Sequence, residues 1–178
     1  MRMGVLLTPG FLEVEAALVL EVARLLGWER FTLARGRTAL EGSAGVVWTP
    51  KYTFAARPEP DVLVIPGGPQ MSKLGRDAEH QDWLGEVWEG LRAIFTGANG
   101  VLFLWEAGQV SGKVAAHPVA KEALAGTPLE HCQEPYHWQG KVCTTQGYLA
   151  LAGAVLDWAG FAEEVRAHLG LGLLPRLP

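Results

Sequence analysis

The stretch DVLVIPGGP at residues 61–69 decides the fold of this chain. Its first five residues contain an unbroken apolar run, which is typical of a parallel β-strand that is buried on both faces. The proline and two glycines that follow suit a tight turn at the carboxyl end of such a strand. We therefore predict a buried strand over Asp61–Ile65, in a sheet that is covered by helices.

Short apolar runs and helical spacing alternate along the rest of the chain. Further strands are predicted at Arg2–Leu7, Arg30–Ala34, Ala93–Phe95, Lys113–His117, Leu129–Cys132 and Lys141–Thr145, with a hairpin or edge excursion at Leu40–Thr49. Helices are predicted at Leu12–Leu26, Gln81–Leu91, Ala98–Ala107, Pro118–Ala125, Tyr148–Ala159 and Phe161–Leu169, and a loop or short helix at Lys51–Pro60. This order predicts one α/β domain over residues 1–178, with a mostly parallel, doubly wound sheet and helices on both faces.

The composition of the chain excludes some classes of function. The 178 residues are 49% apolar and 19% charged, as expected of one globular domain. The net charge is −4, and the 15 lysines and arginines are scattered singly, so we expect no nucleic-acid binding. No apolar stretch approaches the roughly 18 residues that a membrane helix needs. We expect a cytoplasmic protein that has no membrane segment.

The chain has two cysteines, Cys132 and Cys143, in no recognisable metal or redox motif. Their number and spacing predict neither a disulfide framework nor a zinc site. We expect both thiols to be buried and inert, and we expect no metal ion or cofactor.

In doubly wound sheets, ligands bind outside the carboxyl ends of the strands. Here those ends are Thr8–Gly10, Pro66–Gly68, Phe95–Gly97 and His117. Residues that are far apart in the sequence are therefore predicted to share one rim.

Three features on that rim are candidates for chemistry. Glu15 lies early in the first helix, where a carboxylate is favoured and can face the rim. The strand–turn–helix at residues 93–98 can present a nucleophile beside backbone N–H donors, with Gly67 and Gly68 as further donors. His117 can act as a general acid or base. Each feature also has an ordinary structural interpretation: a first-turn acid, a simple turn and a structural histidine.

Several segments together carry a family resemblance. They are Gly10–Glu15, EPDVLVIPGG at residues 59–68, Ala93–Gly97 followed by Glu106-Ala107-Gly108, GKVAAHP at residues 112–118 and GKVCTTQG at residues 140–147. In their order and spacing they resemble the ThiJ/PfpI superfamily, also called DJ-1/PfpI, of the class I glutamine-amidotransferase-like fold. The resemblance implies a flavodoxin-like three-layer sandwich and a homodimer.

The resemblance also implies a set of site residues. Family members carry an elbow cysteine, usually at positive φ, a glutamate from the first helix that tunes it, and often a histidine after the next strand. Glu15 and His117 match the latter two, and the elbow position falls on Phe95. The family's hydrolase, glyoxalase-like, deglycase-like and redox activities generally need the missing thiolate. We expect either a strained positive φ at Phe95 or a turn that has relaxed and reshaped the rim.

Three functional hypotheses are compatible with these residues. The first is a non-catalytic member that binds a small ligand or serves as the scaffold of a dimer. The second is a cysteine-independent hydrolase or lyase for a small carbonyl compound. In it Glu15 and His117 act as an acid–base pair, and an oxyanion is held by backbone N–H groups of the pocket, at Gly67, Gly68, Thr96 and Gly97. The third is a subunit that modulates an active paralogue through an exposed apolar patch, for which the seven tryptophans leave room.

Overall fold

The computed structural model describes residues 1–161 and Ala167. Its strands are β1 (Arg2–Leu6), β2 (Glu29–Ala34), β3 (Leu40–Glu41), β4 (Val47–Trp48), β5 (Tyr52–Thr53), β6 (Val62–Ile65), β7 (Ala93–Thr96), β8 (Lys113–Val114), β9 (Glu130–His131), β10 (Tyr136–Gln139) and β11 (Val142–Thr145). Its helices are α1 (Glu13–Leu25), α2 (Met71–Gly75), α3 (Ala78–Trp88), α4 (Val101–Glu106), α5 (Lys121–Ala125) and α6 (Tyr148–Trp158), with 3-10 turns at Phe54–Ala56 and Pro118–Ala120.

The central sheet has seven strands in the order β10-β11-β7-β6-β1-β2-β5. All neighbouring strands are parallel except β10, which pairs antiparallel with β11 at one edge. Strands β3 and β4 form a separate hairpin, and β8 pairs with β9 outside the main sheet. This topology confirms the predicted α/β fold with a mostly parallel sheet.

Alternate residues of the strands supply two separate cores. In β6, Val62 and Val64 pack with residues of α1 and α6, whereas Leu63 and Ile65 pack with residues of α2, α3 and α4. All four side chains are fully buried. A strand with helices on both faces must be apolar at every position, which is why residues 62–65 form a continuous apolar run. The result is a three-layer sandwich.

The carboxyl ends of β1, β6 and β7 meet at one rim, as predicted. The Leu12 N–H donates to the Gly67 carbonyl at 2.9 Å, which joins the segment after β1 to the segment after β6. The Gly97 N–H donates to the Ile65 carbonyl at 3.0 Å, which adds the end of β7. The candidate functional site lies where these three segments join.

Several boundaries differ from the sequence predictions. Strand β7 continues to Thr96, and α4 begins only at Val101, so residues 98–100 form a turn where helix was expected. Helix α2 was not predicted, and part of the expected loop at Lys51–Pro60 is the edge strand β5. The expected strand Lys113–His117 is reduced to the two residues of β8.

The last predicted helix, Phe161–Leu169, lies almost wholly outside the described residues. Within the described part of the chain, no helix has both the length and the apolar character to cross a membrane.

Candidate functional site

Glu15 is the buried acid of the site. It lies in the first turn of α1, and its side chain is 1% exposed. The carboxylate accepts hydrogen bonds from the Gly67 N–H at 2.8 Å and from the Ala98 N–H. Burial raises the pKa of the Glu15 carboxyl to about 7, and the two N–H donors offset only part of that rise. Near neutral pH this group therefore exists in both the protonated and the ionised form.

The sharp turn after β7 is centred on Ala98. This residue has φ +37°, in the left-handed region, where a residue with a Cβ is strained. Its side chain is 7% exposed and lies against Gly67, because a Cβ built on Gly67 would come within 2.8 Å of the Ala98 methyl. Gly97 packs equally closely on Glu15, since a Cβ at Gly97 would overlap the carboxylate. The strained position beside Glu15 thus belongs to Ala98.

Phe95 does not occupy this turn. It is a fully buried residue of β7 and pairs with Val64 and Cys143 in the sheet. Its ring makes edge contacts with Trp138 and Trp158, at centroid distances of 5.4 and 6.0 Å, in the core beneath α1 and α6. Its φ is not positive. The strained version of the Phe95 hypothesis is therefore wrong, because the strand runs on and turns three residues later.

The backbone donors expected for an oxyanion are already engaged. The Gly67 N–H binds Glu15, and the Gly97 N–H binds the Ile65 carbonyl. The Gly68 N–H donates to Asn99 Oδ1 at 2.9 Å, while Asn99 Nδ2 donates back to the Gly68 carbonyl at 2.8 Å. These three N–H groups are therefore committed to bonds within the protein. The geometry is that of a closed, internally bonded turn.

Thr96, the remaining expected donor residue, is fully buried at the end of β7. Its carbonyl accepts from the Thr145 hydroxyl at 2.9 Å, and its own Oγ1 has no hydrogen-bond partner in the part of the chain that the structure describes. The side chain is thus enclosed in the protein and does not reach the surface of the rim.

His117 reaches the turn through its backbone. Its N–H donates to the Ala98 carbonyl at 3.2 Å, and its exposed ring accepts at Nδ1 from the Val119 N–H at 3.2 Å. That second bond caps the 3-10 turn at Pro118–Ala120 and fixes Nδ1 as the acceptor. Glu15 and His117 therefore both bind Ala98 backbone atoms, but no hydrogen bond joins their side chains.

The two cysteines lie away from this turn. Cys143 is fully buried in β11, and burial raises the pKa of its thiol. Cys132 is also buried, and burial is the main cause of its raised pKa. Thiols with raised pKa values are poor nucleophiles. Among the described residues, no group of three or more His, Cys, Asp or Glu side chains is arranged to hold a metal ion.

Sequence reasoning missed Ala98, Asn99 and Glu13. Glu13 looked like an ordinary first-turn acid, but it is buried and accepts hydrogen bonds from Ser43, Ala44 and Val46. Asn99 is the only asparagine of the chain, which is a faint signal. The spacing Gly97-x-x-Gly100 marks the turn more clearly, because a Cβ at Gly100 would come within 2.5 Å of the Ile65 carbonyl oxygen.

Known proteins share this arrangement of strands and helices. The model of the DJ-1/PfpI family matches residues 1–157. The chain belongs to the DJ-1/PfpI family. No curated protein matches it in sequence.

Solved structures of the family share the fold. A DJ-1 superfamily protein from Salmonella typhimurium, solved as a cysteine-to-alanine mutant, superposes with a TM-score of 0.81 at 22% identity, covering 98% of each chain. DJ-1beta of Drosophila melanogaster gives a TM-score of 0.78 at 23% identity, covering 97% of each chain. A two-domain protein from Anabaena variabilis, with DJ-1/ThiJ/PfpI-like and ferritin-like domains, gives 0.76 at 19% identity; 90% of this chain matches 48% of that protein. At these identities the likeness shows the fold alone.

Proposed function

We propose that this chain is a DJ-1/PfpI-family protein that performs no nucleophilic catalysis and acts through ligand binding or as a scaffold. One observation carries the proposal: the strained turn residue beside the buried glutamate is Ala98. The family resemblance implies a cysteine at such an elbow. A methyl group has no lone pair with which to attack a carbonyl carbon.

Nothing near Ala98 supplies the missing nucleophile. The polar groups around it are the Glu15 carboxylate, the Asn99 amide and backbone groups, and the N–H groups of Gly67, Gly68 and Gly97 already have partners. An oxyanion site needs free, preorganised donors. Saturation of these donors favours a structural role for the turn.

The remaining polar group, Glu15, suits a weak ligand site. Its protonated form has an O–H donor for the oxygen of a small carbonyl compound, the ligand class that the resemblance implies, but the side chain is 1% exposed, so such a ligand must first open the turn. We further propose that the protein is a cytoplasmic homodimer, and light scattering of the purified chain tests its oligomeric state.

The alternative is a cysteine-independent hydrolase or lyase. The pKa of Glu15, raised to about 7, favours it, because a carboxyl that titrates near neutral pH is suited to proton transfer. The separate hydrogen bonds of Glu15 and His117 count against their acting as a pair.

The experiment is methylglyoxal consumption by the wild type, Glu15→Gln and Ala98→Cys. Val119→Cys is the matched control, because Val119 is 82% exposed and its replacement adds an ordinary surface thiol. We expect no turnover by the wild type or Glu15→Gln. The informative result is that Ala98→Cys turns over methylglyoxal, whereas Val119→Cys only forms a stoichiometric adduct with it. That result would identify a site that lacks nothing but its nucleophile.

Turnover by the wild type that is lost in Glu15→Gln would overturn the proposal in favour of the cysteine-independent enzyme. If none of the four proteins turns over methylglyoxal, the scaffold role is favoured over a relic catalytic pocket.

A further inference from the structure

A cleft of about 460 Å³ lies on the rim beside β1 and β2. It is bounded by residues 7–9, which follow β1, by residues 34–40, which follow β2, and by residues of α2 and α3. We call it the β1–β2 cleft. Its volume falls in the range of about 300–1,000 Å³ that is common for small-ligand sites. Glu15, Ala98 and His117 do not line it, so a ligand site in this cleft is independent of the proposed function.

The charged residues of the β1–β2 cleft are mainly cationic. Arg35, Lys73 and Arg76 line it, against the single acid Asp77. Asp77 is already engaged, because its carboxylate accepts from His80 Nδ1 at 2.7 Å. The chain as a whole carries a net charge of −4, so this grouping of cations runs against the overall charge.

The three cations are neutralised to different degrees. Arg35 lies 3.4 Å from Glu79 and Arg76 lies 3.5 Å from Glu106, and both arginine side chains are more than half exposed. The Arg35–Glu79 pair is exposed on both sides and contributes little. The Glu106 side chain is only 12% exposed and neutralises Arg76 more fully. Lys73 forms no ion pair with the described residues. The cleft therefore retains positive charge that can attract an anion.

Two buried polar side chains also line the β1–β2 cleft. Thr8 is 1% exposed, and its Oγ1 has no hydrogen-bond partner among the described residues. A buried hydroxyl without a partner is uncommon, because its desolvation is not offset. His80 is 4% exposed and is held by Asp77 through Nδ1, while its Nε2 makes no hydrogen bond with the described residues. Both are suited to bind ligand oxygen.

Apart from Thr38 and Gln70, the rest of the lining carries no polar side chain. Leu7 and Leu74 are buried residues of the wall, and Leu40 and Ala34 lie at the side of β2. A ligand that fits this mixture has a small apolar body and one negatively charged oxygen group. Apolar walls with a few convergent polar groups are typical of such sites.

We propose that the β1–β2 cleft binds a small organic anion through Arg35, Lys73, Arg76 and the Thr8 hydroxyl. The anionic group is a carboxylate or a phosphate monoester, since both present oxygens that accept from guanidinium, ammonium and hydroxyl groups. The apolar part of the ligand packs against the leucines of the wall.

Calorimetric titration of the full chain tests this with three probes that share one ring: phenyl phosphate, benzoate and uncharged benzyl alcohol. We expect at least one anion to bind and benzyl alcohol to bind at least tenfold more weakly. Tighter binding of phenyl phosphate assigns the site to phosphate esters, and tighter binding of benzoate assigns it to carboxylates. No binding of either anion up to about 10 mM, or equal binding of benzyl alcohol, overturns the proposal.

Substitutions locate the binding. Lys73→Ala and Arg76→Ala should each weaken the better anion roughly tenfold, because each removes a charged donor. Thr8→Val keeps the side-chain shape without the hydroxyl and should weaken binding severalfold. Lys121→Ala removes an exposed lysine elsewhere and should change nothing. Circular dichroism checks that each variant folds, and binding that survives all three cleft substitutions contradicts the assignment.

Discussion

Glu13 and Glu15 leave the same turn of α1 two residues apart, and both are buried, yet their environments drive their pKa values in opposite directions. Burial tends to raise the pKa of the Glu13 carboxyl, but donors from the β3–β4 loop outweigh burial and hold it below its usual value. Those donors are Ser43, Ala44 and Val46. Glu15 has only two backbone donors, and burial raises its pKa to about 7.

The contrast shows that deeper burial and fewer donors together raise the pKa of Glu15, whereas the donors around Glu13 keep that carboxylate ionised. The hydrogen bonds of the Glu13 carboxylate join the β3–β4 hairpin to α1. The two donors to Glu15 do not offset the cost of burying its charge, and Glu15 lies beside the strained turn. A strained backbone next to a buried acid with a raised pKa is typical of functional sites. Here both features occur, but the strained residue is an alanine.

The greatest loss of stability should come from crowding each carboxylate with a methyl group. Gly97→Ala should destabilise the protein by about 3 kcal/mol, because its Cβ would overlap the Glu15 carboxylate between the sheet and α1. Gly42→Ala crowds Glu13 in the same way but should cost less, since the hairpin loop is exposed and can shift. Urea denaturation measures both.

Gly85→Ala is the control for this pair, because nothing lies within 4 Å of a Cβ built there, inside α3. It should stabilise the protein by about 0.5–1 kcal/mol through helix propensity. Equal losses of stability in Gly97→Ala and Gly42→Ala would contradict the expected difference in rigidity between the two sites.

The pH dependence of the free energy of unfolding should distinguish Glu15 from Glu13. The folded-state pKa of Glu15 is raised, so the folded state keeps a proton that the unfolded state loses. That contribution is fully present below pH 4.5 and is lost as the pH rises to about 7, at most about 3 kcal/mol. Stability curves of Glu15→Gln should lack this loss, and an unchanged pH slope in that variant would contradict the raised pKa.

Glu13→Gln should show the opposite sign. The folded-state pKa of Glu13 is lowered, so its contribution is present above its ordinary pKa and is lost as the pH falls through the folded value. At pH 7 we expect a loss of about 2 kcal/mol, because the loop N–H groups lose a charged acceptor. Chemical denaturation at pH 7 and at pH 3 measures this loss of stability. A variant as stable as the wild type at pH 7 would refute the stabilising role of the Glu13 hydrogen bonds.

Asn99→Ala should have the smallest effect, about 1 kcal/mol, because Asn99 is only partly buried and water can replace its amide. Asn99→Asp is the matched variant: it keeps an acceptor for the Gly68 N–H but replaces the donor to the Gly68 carbonyl by an acceptor oxygen, which is repelled there. Thermal unfolding should place both variants below the wild type, and a variant as stable as the wild type would argue against the paired bonds.

The sequence allowed the sheet and the rim to be predicted, because a strand buried on both faces must be apolar throughout. Residues 62–65 show that pattern, and the glycines after them mark the turn. Helix α2 was missed because its five residues are too short to show periodicity, and β5 was missed because it has only two residues.

The positive φ lies at Ala98, three residues beyond the position considered for it, for a physical reason. A strand end that carries Thr96 looks like a turn in sequence, and an alanine at positive φ gives no sequence signal, because the surrounding contacts impose that conformation. The role of Glu13 was also unpredictable, since its donors lie 30 to 33 residues away in the chain. Contacts of this range depend on the tertiary fold.

The position of the elbow at Ala98 is best tested by alkylation of Ala98→Cys and Phe95→Cys with iodoacetamide, mapped by mass spectrometry under native conditions. We predict faster labelling at residue 98, whose side chain is 7% exposed at the turn, than at residue 95, which is fully buried in the sheet. The buried Cys132 and Cys143 should stay unlabelled in both variants. Rapid labelling at residue 95 in a folded protein, with residue 98 protected, would contradict this assignment and return the elbow to Phe95.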